Sequence, residues 1–230
     1  MTLSLKERIL PLADVKRAAF NARLAPSLDP KRFLGARTPD LKTIAKSLTS
    51  KEKAEFLRSL PHGYIDEDFI HIHLLNTLKT LPEARQAVLA FLPSIESWCQ
   101  TDSLTFPKIK TDDLLELALE MLDRPESYGR RLGIIWIMKR ASKLEYDPAR
   151  FFLQKALTVD GDEREIQLAK AWLLCEFMIY QPELAWKTLQ NPNLDSQIVR
   201  TAIQKCLDSR RVTGFQKTNL KRLRQTLSAQ

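Results

Sequence analysis

Twelve prolines cut the 230-residue chain into stretches of helical length. Proline lacks a backbone donor and clashes inside a helix, so it marks a first turn or a stop. Within the stretches, apolar residues recur at spacings of three and four, the period of a helix with one buried face. A chain punctuated this way is a succession of short helices. A sheet is disfavoured as well, since only 6 residues are Gly and 5 are Val, against 37 Leu and 20 Ala. Strands draw on β-branched residues and Gly-rich turns.

The pattern predicts a run of short helices. Two fall in the first 25 residues, broken near Pro11. Thr38-Pro39 opens one to Leu48, and Ser50 caps the next, to Leu60. Further helices are expected over 66–81, from Pro82 to Leu92, after Pro93, and over 112–122, 126–141 and 147–157. The last four run over 161–180, 182–190, 195–207 and 214–227. Antiparallel pairs at about 35–45 residues per pair suggest an α-solenoid. The fold class expected is all-α, a solenoid of degenerate HEAT-like repeats forming one domain over 1–230, although no consensus recurs at a fixed period. Such a solenoid presents one concave face to an extended ligand. An irregular α bundle is the competing fold.

No apolar run approaches the roughly 18 residues of a membrane span. Lys6, Glu7 and Arg8 interrupt the apolar start, so no signal peptide is read there. Cys99, Cys175 and Cys206 form no CxxC pair and no disulfide framework, which suits a reducing, cytoplasmic compartment. His62, His71 and His73 are close in sequence but lack the partners of a metal motif, so neither a metal nor a cofactor is expected. Nothing in the sequence demands more than a monomer.

The charge is uneven. Residues 1–60 carry a net +7, residues 61–199 a net −6 and residues 200–230 a net +7. Basic ends on a neutral-to-acidic middle suit a surface meeting a polyanion at several places. They are equally the solvated faces of basic helices.

Three constellations carry chemistry. Trp98 and Asp102 are four apart, which sets an indole beside a carboxylate on one helix face. Arg130-Arg131 opens an otherwise apolar helix. Trp172 sits in the apolar stretch Leu168-Ala169-Lys170-Ala171-Trp172-Leu173. Singly, each has a duller reading: a core tryptophan, a capping aspartate, a solvated first-turn arginine.

Taken together and in order, these elements resemble the AlkD-like family of DNA alkylation repair proteins, HEAT-like solenoids that include alkylpurine DNA glycosylases. Phe33-Leu34-Gly35-Ala36-Arg37-Thr38-Pro39, followed by Ile44-Ala45-Lys46, resembles the family's N-terminal Gly-x-x-x-Pro signature. Trp98 to Asp102 matches its Trp-x-x-x-Asp element. Arg131-Leu132-Gly133 resembles its Arg-led apolar helix, and Gln167-x-Ala169-x-x-Trp172 its Gln-x-Ala-x-x-Trp helix. The resemblance runs over nearly the whole chain.

It implies hydrolysis of the N-glycosidic bond of cationic N3- or N7-alkylated purines in duplex DNA, without obligatory base flipping. Asp102 would stabilise the positive charge that develops on the sugar, and Trp98 and Trp172 would flank it. Arg131 would hold a phosphate, with Arg130, Lys170, Arg210 and Arg211 as further DNA contacts. One departure stands out: active members typically follow the second Trp with Leu-Arg-Glu, whereas this chain has Leu174-Cys175-Glu176. A non-catalytic module binding duplex or unusually shaped DNA, or a protein-interaction scaffold, remains open beside the glycosylase.

Overall fold

The computed structural model describes residues 4–228; Met1 to Leu3, where the reading of the N-terminus begins, lie outside the described residues, as do Ala229 and Gln230. The described residues form fourteen α-helices and no strand. The protein is all-α. Its helices gather into two compact units, Met1–Lys110 and Thr111–Gln230, and no Gly- or Pro-rich linker marks the boundary.

The first unit holds α1 (Leu5–Ile9), α2 (Val15–Leu24), α3 (Thr38–Ser47), α4 (Ser50–Arg58), α5 (Ile65–Leu75), α6 (Leu81–Phe91) and α7 (Trp98–Ser103). Its core joins Leu41, Ile44 and Ala45 of α3 to Ile70 and Leu74 of α5, with Ile9 and Phe56 at the flank. Gly35 makes this packing possible. Its φ is +80°, and a Cβ there would lie 2.4 Å from the Asp14 carbonyl oxygen, so only glycine fits. Asp66 then fixes the same segment, accepting hydrogen bonds from the Leu34 and Ala36 backbone N–H groups, both at 2.8 Å.

The second unit holds α8 (Thr111–Leu122), α9 (Ser127–Arg140), α10 (Tyr146–Leu157), α11 (Arg164–Tyr180), α12 (Pro182–Leu189), α13 (Ser196–Asp208) and α14 (Gly214–Ser228). Helix α9 packs on α8 and on α11, and α11 in turn packs on α12 and α13. The three helices α9, α11 and α13 share a register of 33 residues. Gly133, Ile166 and Val199 form one row, Trp136, Ala169 and Ala202 a second, and Arg140, Leu173 and Cys206 a third; all nine are buried. The repeat is one of burial, not of residue identity.

Most helices lie where the sequence puts them, and the differences have physical causes. Helix α4 is capped by Thr49, whose hydroxyl accepts from the Glu52 N–H while Glu52 reaches back to the Thr49 N–H, so Ser50 is the first helical residue rather than the cap. Arg37, not Thr38, is the N-cap of α3. The largest departure is the helix expected over 66–81, which stops at Leu75. There Asn76 turns its amide outward to another segment of the unit, a long-range bond that no local pattern announces.

Candidate functional site

Asp102 stands on α7, a helix of six residues that could not hold itself together in isolation. Its start is fixed by Gln100, whose fully buried amide oxygen accepts from the Glu96 and Ser97 N–H groups at 2.9 Å each. The same amide donates to Asp68 Oδ2 and to the Ser94 carbonyl, both at 3.1 Å. Its end is fixed by Asn76. The Asn76 side chain donates to the Ser103 carbonyl and accepts from the Thr105 and Phe106 N–H groups, all at 2.9 Å. Asp102 is therefore half-buried between two anchored ends, with Thr101 Oγ1 at 3.4 Å from its carboxylate.

Trp98 opens α7 and is also half-buried. Its indole N–H donates to the Leu24 carbonyl at 3.0 Å, tying α7 to the end of α2. The ring borders a groove of about 620 Å³ in the first unit, lined also by Lys16, Arg17, Phe20 and Phe69. Phe20 is 52% exposed there. Aromatic and basic side chains together suit bases and phosphates.

Behind α7 lies a buried polar cluster. Asp68 accepts from Gln100 and lies 3.4 Å from the Arg32 guanidinium. Burial pushes its carboxyl up to about 8, against the opposing pull of Arg32. His62 Nε2 and His71 Nδ1 share a 2.9 Å hydrogen bond. Phe56 stacks on His62 and Phe91 on His71. Burial pushes His62 down to about 4, helped by Arg32, and His71 down to about 3, helped by His62. Both imidazoles are neutral core residues. Among the described residues no group of three or more His, Cys, Asp and Glu could hold a metal ion.

The other six candidates belong to the second unit. Arg131 is almost fully buried, and its guanidinium donates to the Glu165 carbonyl at 2.5 Å, joining α9 to the first turn of α11. Arg130 pairs with Glu163 at 2.6 Å and also donates to the Pro125 carbonyl at 3.0 Å. Lys170 is buried and donates to the Val159 carbonyl at 2.6 Å; burial lowers its pKa. Arg211 forks both oxygens of Glu176, at 3.0 and 2.9 Å, and donates to the Tyr180 hydroxyl. Arg210 is exposed in the turn after α13.

Trp172, half-buried on α11, has two ammonium groups against its ring. Lys139 Nζ of α9 lies 5.2 Å from the ring centroid and Lys205 Nζ of α13 lies 6.0 Å from it. The sequence reading missed both lysines, yet the signal was present. Lys139, Trp172 and Lys205 are 33 residues apart, one shared position on three alternate helices, α9, α11 and α13.

The structure also places Cys175. Cys175 is buried on α11, beside the fully buried Cys206 of α13. The Cys206 thiol is pushed up by its hydrogen bond to Cys175 and by burial. Position 175 therefore faces the core of the second unit.

A family model described as DNA alkylation repair enzyme matches residues 5–206. The chain belongs to this family. The match reaches into both compact units and takes in all of α7, α9 and α11, and it ends before α14. The DNA alkylation repair assignment carries with it a role in DNA repair. No curated protein matches the chain. No helix among the described residues of this DNA alkylation repair family member is long and apolar enough to cross a membrane.

Proposed function

We propose that the protein is a DNA glycosylase that releases cationic N3- or N7-alkylated purines from duplex DNA. The observation that carries this reading is the family match over residues 5–206, within which Asp102 stands on a helix anchored at both ends. An alkylated purine of this kind already bears a positive charge. When the C1′–N bond breaks, the bonding pair returns to the base, which leaves neutral and needs no strong general acid. Positive charge then develops on the deoxyribose, as in other glycoside cleavages. The Asp102 carboxylate stabilises that charge and orients the water that adds to C1′, accepting its proton or passing it to solvent. Trp98 and Trp172 offer indole faces, which favour cationic centres.

In this proposal Arg130, Arg210 and Arg211 meet the phosphate backbone, while Arg131 and Lys170 act mainly by bracing α11 with their inward hydrogen bonds. The base stays near the helix stack rather than entering a closed pocket, so recognition rests on duplex shape and charge. We propose further that the helices form a single HEAT-like solenoid domain acting as a monomer in the cytoplasm. The 33-residue burial register of α9, α11 and α13 supports the solenoid part. A second reading, a relative that binds duplex DNA without cutting it, draws on the buried Cys175 where active members typically carry Arg.

The test is release of methylated purine from DNA treated with a methylating agent, with wild type beside Asp102→Asn. Release by wild type and its near-loss in the variant, at unchanged duplex affinity, supports the glycosylase. Binding without release by either protein leaves the non-catalytic reading. Absence of duplex binding at low salt rules out both.

A further inference from the structure

Two ammonium groups lie against one indole in this structure. Lys139 and Lys205 both lie within 6.0 Å of the Trp172 ring centroid, so their mutual repulsion is an expense of the free protein. Neither has a carboxylate at ion-pair distance among the described residues. The acid one turn along α11 from Trp172, Glu176, is already forked by Arg211. Each lysine stands in the last turn of its helix, where unpaired carbonyls favour a cation, which explains why the positions tolerate positive charge. That does not explain why both ammonium groups converge on one ring from either side of α11.

A ligand with negative groups set at intervals along a chain would complete the arrangement. A phosphodiester backbone is such a ligand. We propose that Lys139 and Lys205 are the two prongs of a phosphate clamp, seated on Trp172 in the free protein and transferred to phosphates on either side of the target nucleotide when DNA binds. The proposal rests on the reading that this protein acts on duplex DNA, and it deepens that reading. Gripping the backbone and uncovering the indole become one event. The ring is uncovered for the electron-poor sugar only when phosphates have drawn the ammonium groups away.

The clamp has a quantitative signature. Each phosphate neutralised releases condensed counterions, and log Kobs falls with log salt concentration by about 0.9 per contact on B-form DNA. Duplex affinity is measured by fluorescence anisotropy across a salt series for wild type, Lys139→Gln, Lys205→Gln and the double variant. Lys187→Gln, at an exposed position of α12, serves as the surface control, and thermal unfolding confirms that each variant folds. The expected result is a slope shallower by about 0.9 for each single variant and by about twice that for the double. Lys187→Gln keeps the wild-type slope. Tryptophan fluorescence of free wild type changes on adding duplex, and that change shrinks in the double variant. If wild type binds duplex with a steep slope and the variants share it, the clamp is wrong and the DNA reading stands. If wild type shows no duplex binding at low salt, clamp and DNA reading fall together.

Discussion

Acidifying this protein should uncouple its fold through two histidines, and the size of the effect follows from the structure. His62 and His71 are held at about 4 and about 3, against an ordinary 6.5. Their folded-state values are depressed, so below pH 6.5 the unfolded chain takes up protons that the folded chain refuses. Stability falls as pH drops through that window, by about 1.4 kcal/mol per pH unit for each histidine. Asp68 works in the opposite direction. Its carboxyl is raised to about 8 from an ordinary 3.8, so between those values the folded state holds a proton that the unfolded state has lost. Its contribution therefore grows on acidification, at the same rate.

From pH 6.5, where an unfolded histidine is only half protonated and the full slope is not yet reached, to about pH 5 the two histidines cost about 3 kcal/mol and Asp68 returns about 2, a net loss of about 1 kcal/mol. The window stays above the range in which carboxylates lowered by local bonds, such as Glu52 beside Thr49 and Arg8, lose their folded-state advantage. His73 is also lowered, by burial and by Lys42, Lys46 and Lys108, and it adds to the loss in every variant alike. The assay is urea unfolding of wild type and His71→Gln at the two pH values. The variant is less stable throughout, but with one histidine removed the remaining histidine and Asp68 nearly cancel, and the stability difference between the two pH values shifts by about 1.5 kcal/mol relative to wild type. If His71→Gln loses as much stability as wild type over this window, protons are not entering at the buried pair and the reasoning fails.

Three further outcomes are expected. Asn76→Ala removes three hydrogen bonds at the end of α7 and should lower stability by about 2–4 kcal/mol, read by denaturant midpoint, with faster amide exchange at Thr105 and Phe106. Gly133→Ala puts a Cβ 2.6 Å from the Ala118 carbonyl oxygen and 2.7 Å from Leu122 Cδ2. That crowding of α8 against α9 should outweigh the gain in helix propensity and lower thermal stability by about 1–3 kcal/mol. Cys175→Arg should destabilise by about 3–5 kcal/mol through an uncompensated buried charge and should not raise base release, because position 175 faces Cys206 rather than solvent.

The helical class was legible because prolines and apolar spacing are local signals, and local signals place helix ends to within a few residues. Helix 66–81 shows where this stops. Its pattern continues past Leu75, but Asn76 is claimed by Ser103, Thr105 and Phe106, a contact across about 30 residues that periodicity cannot register. The candidate site was legible in the same partial way. Trp98 and Asp102 are neighbours on one helix face and could be read directly. Arg131 and Lys170 carry the right charge, but their partners are carbonyls of other segments, and a sequence does not say which way a long side chain turns. The histidines showed the reverse: the closeness of His62, His71 and His73 was visible, while the stacking of Phe56 and Phe91 that makes His62 and His71 core was not.

The common register of α9, α11 and α13 makes the second unit a ruler with one mark per helix, and neighbouring marks are set apart by the width of a packed helix, about 8–10 Å. The chemistry at a mark and the distance between marks are then separate properties. Exchanging Lys139, Trp172 or Lys205 for another side chain would change what one mark presents and leave the spacing untouched. Changing the spacing would mean repacking the buried rows beneath, from Gly133 to Val199 and from Trp136 to Ala202. Variation in the chemistry this face presents therefore has an easy route through single substitutions, while its pitch is held fixed by the core.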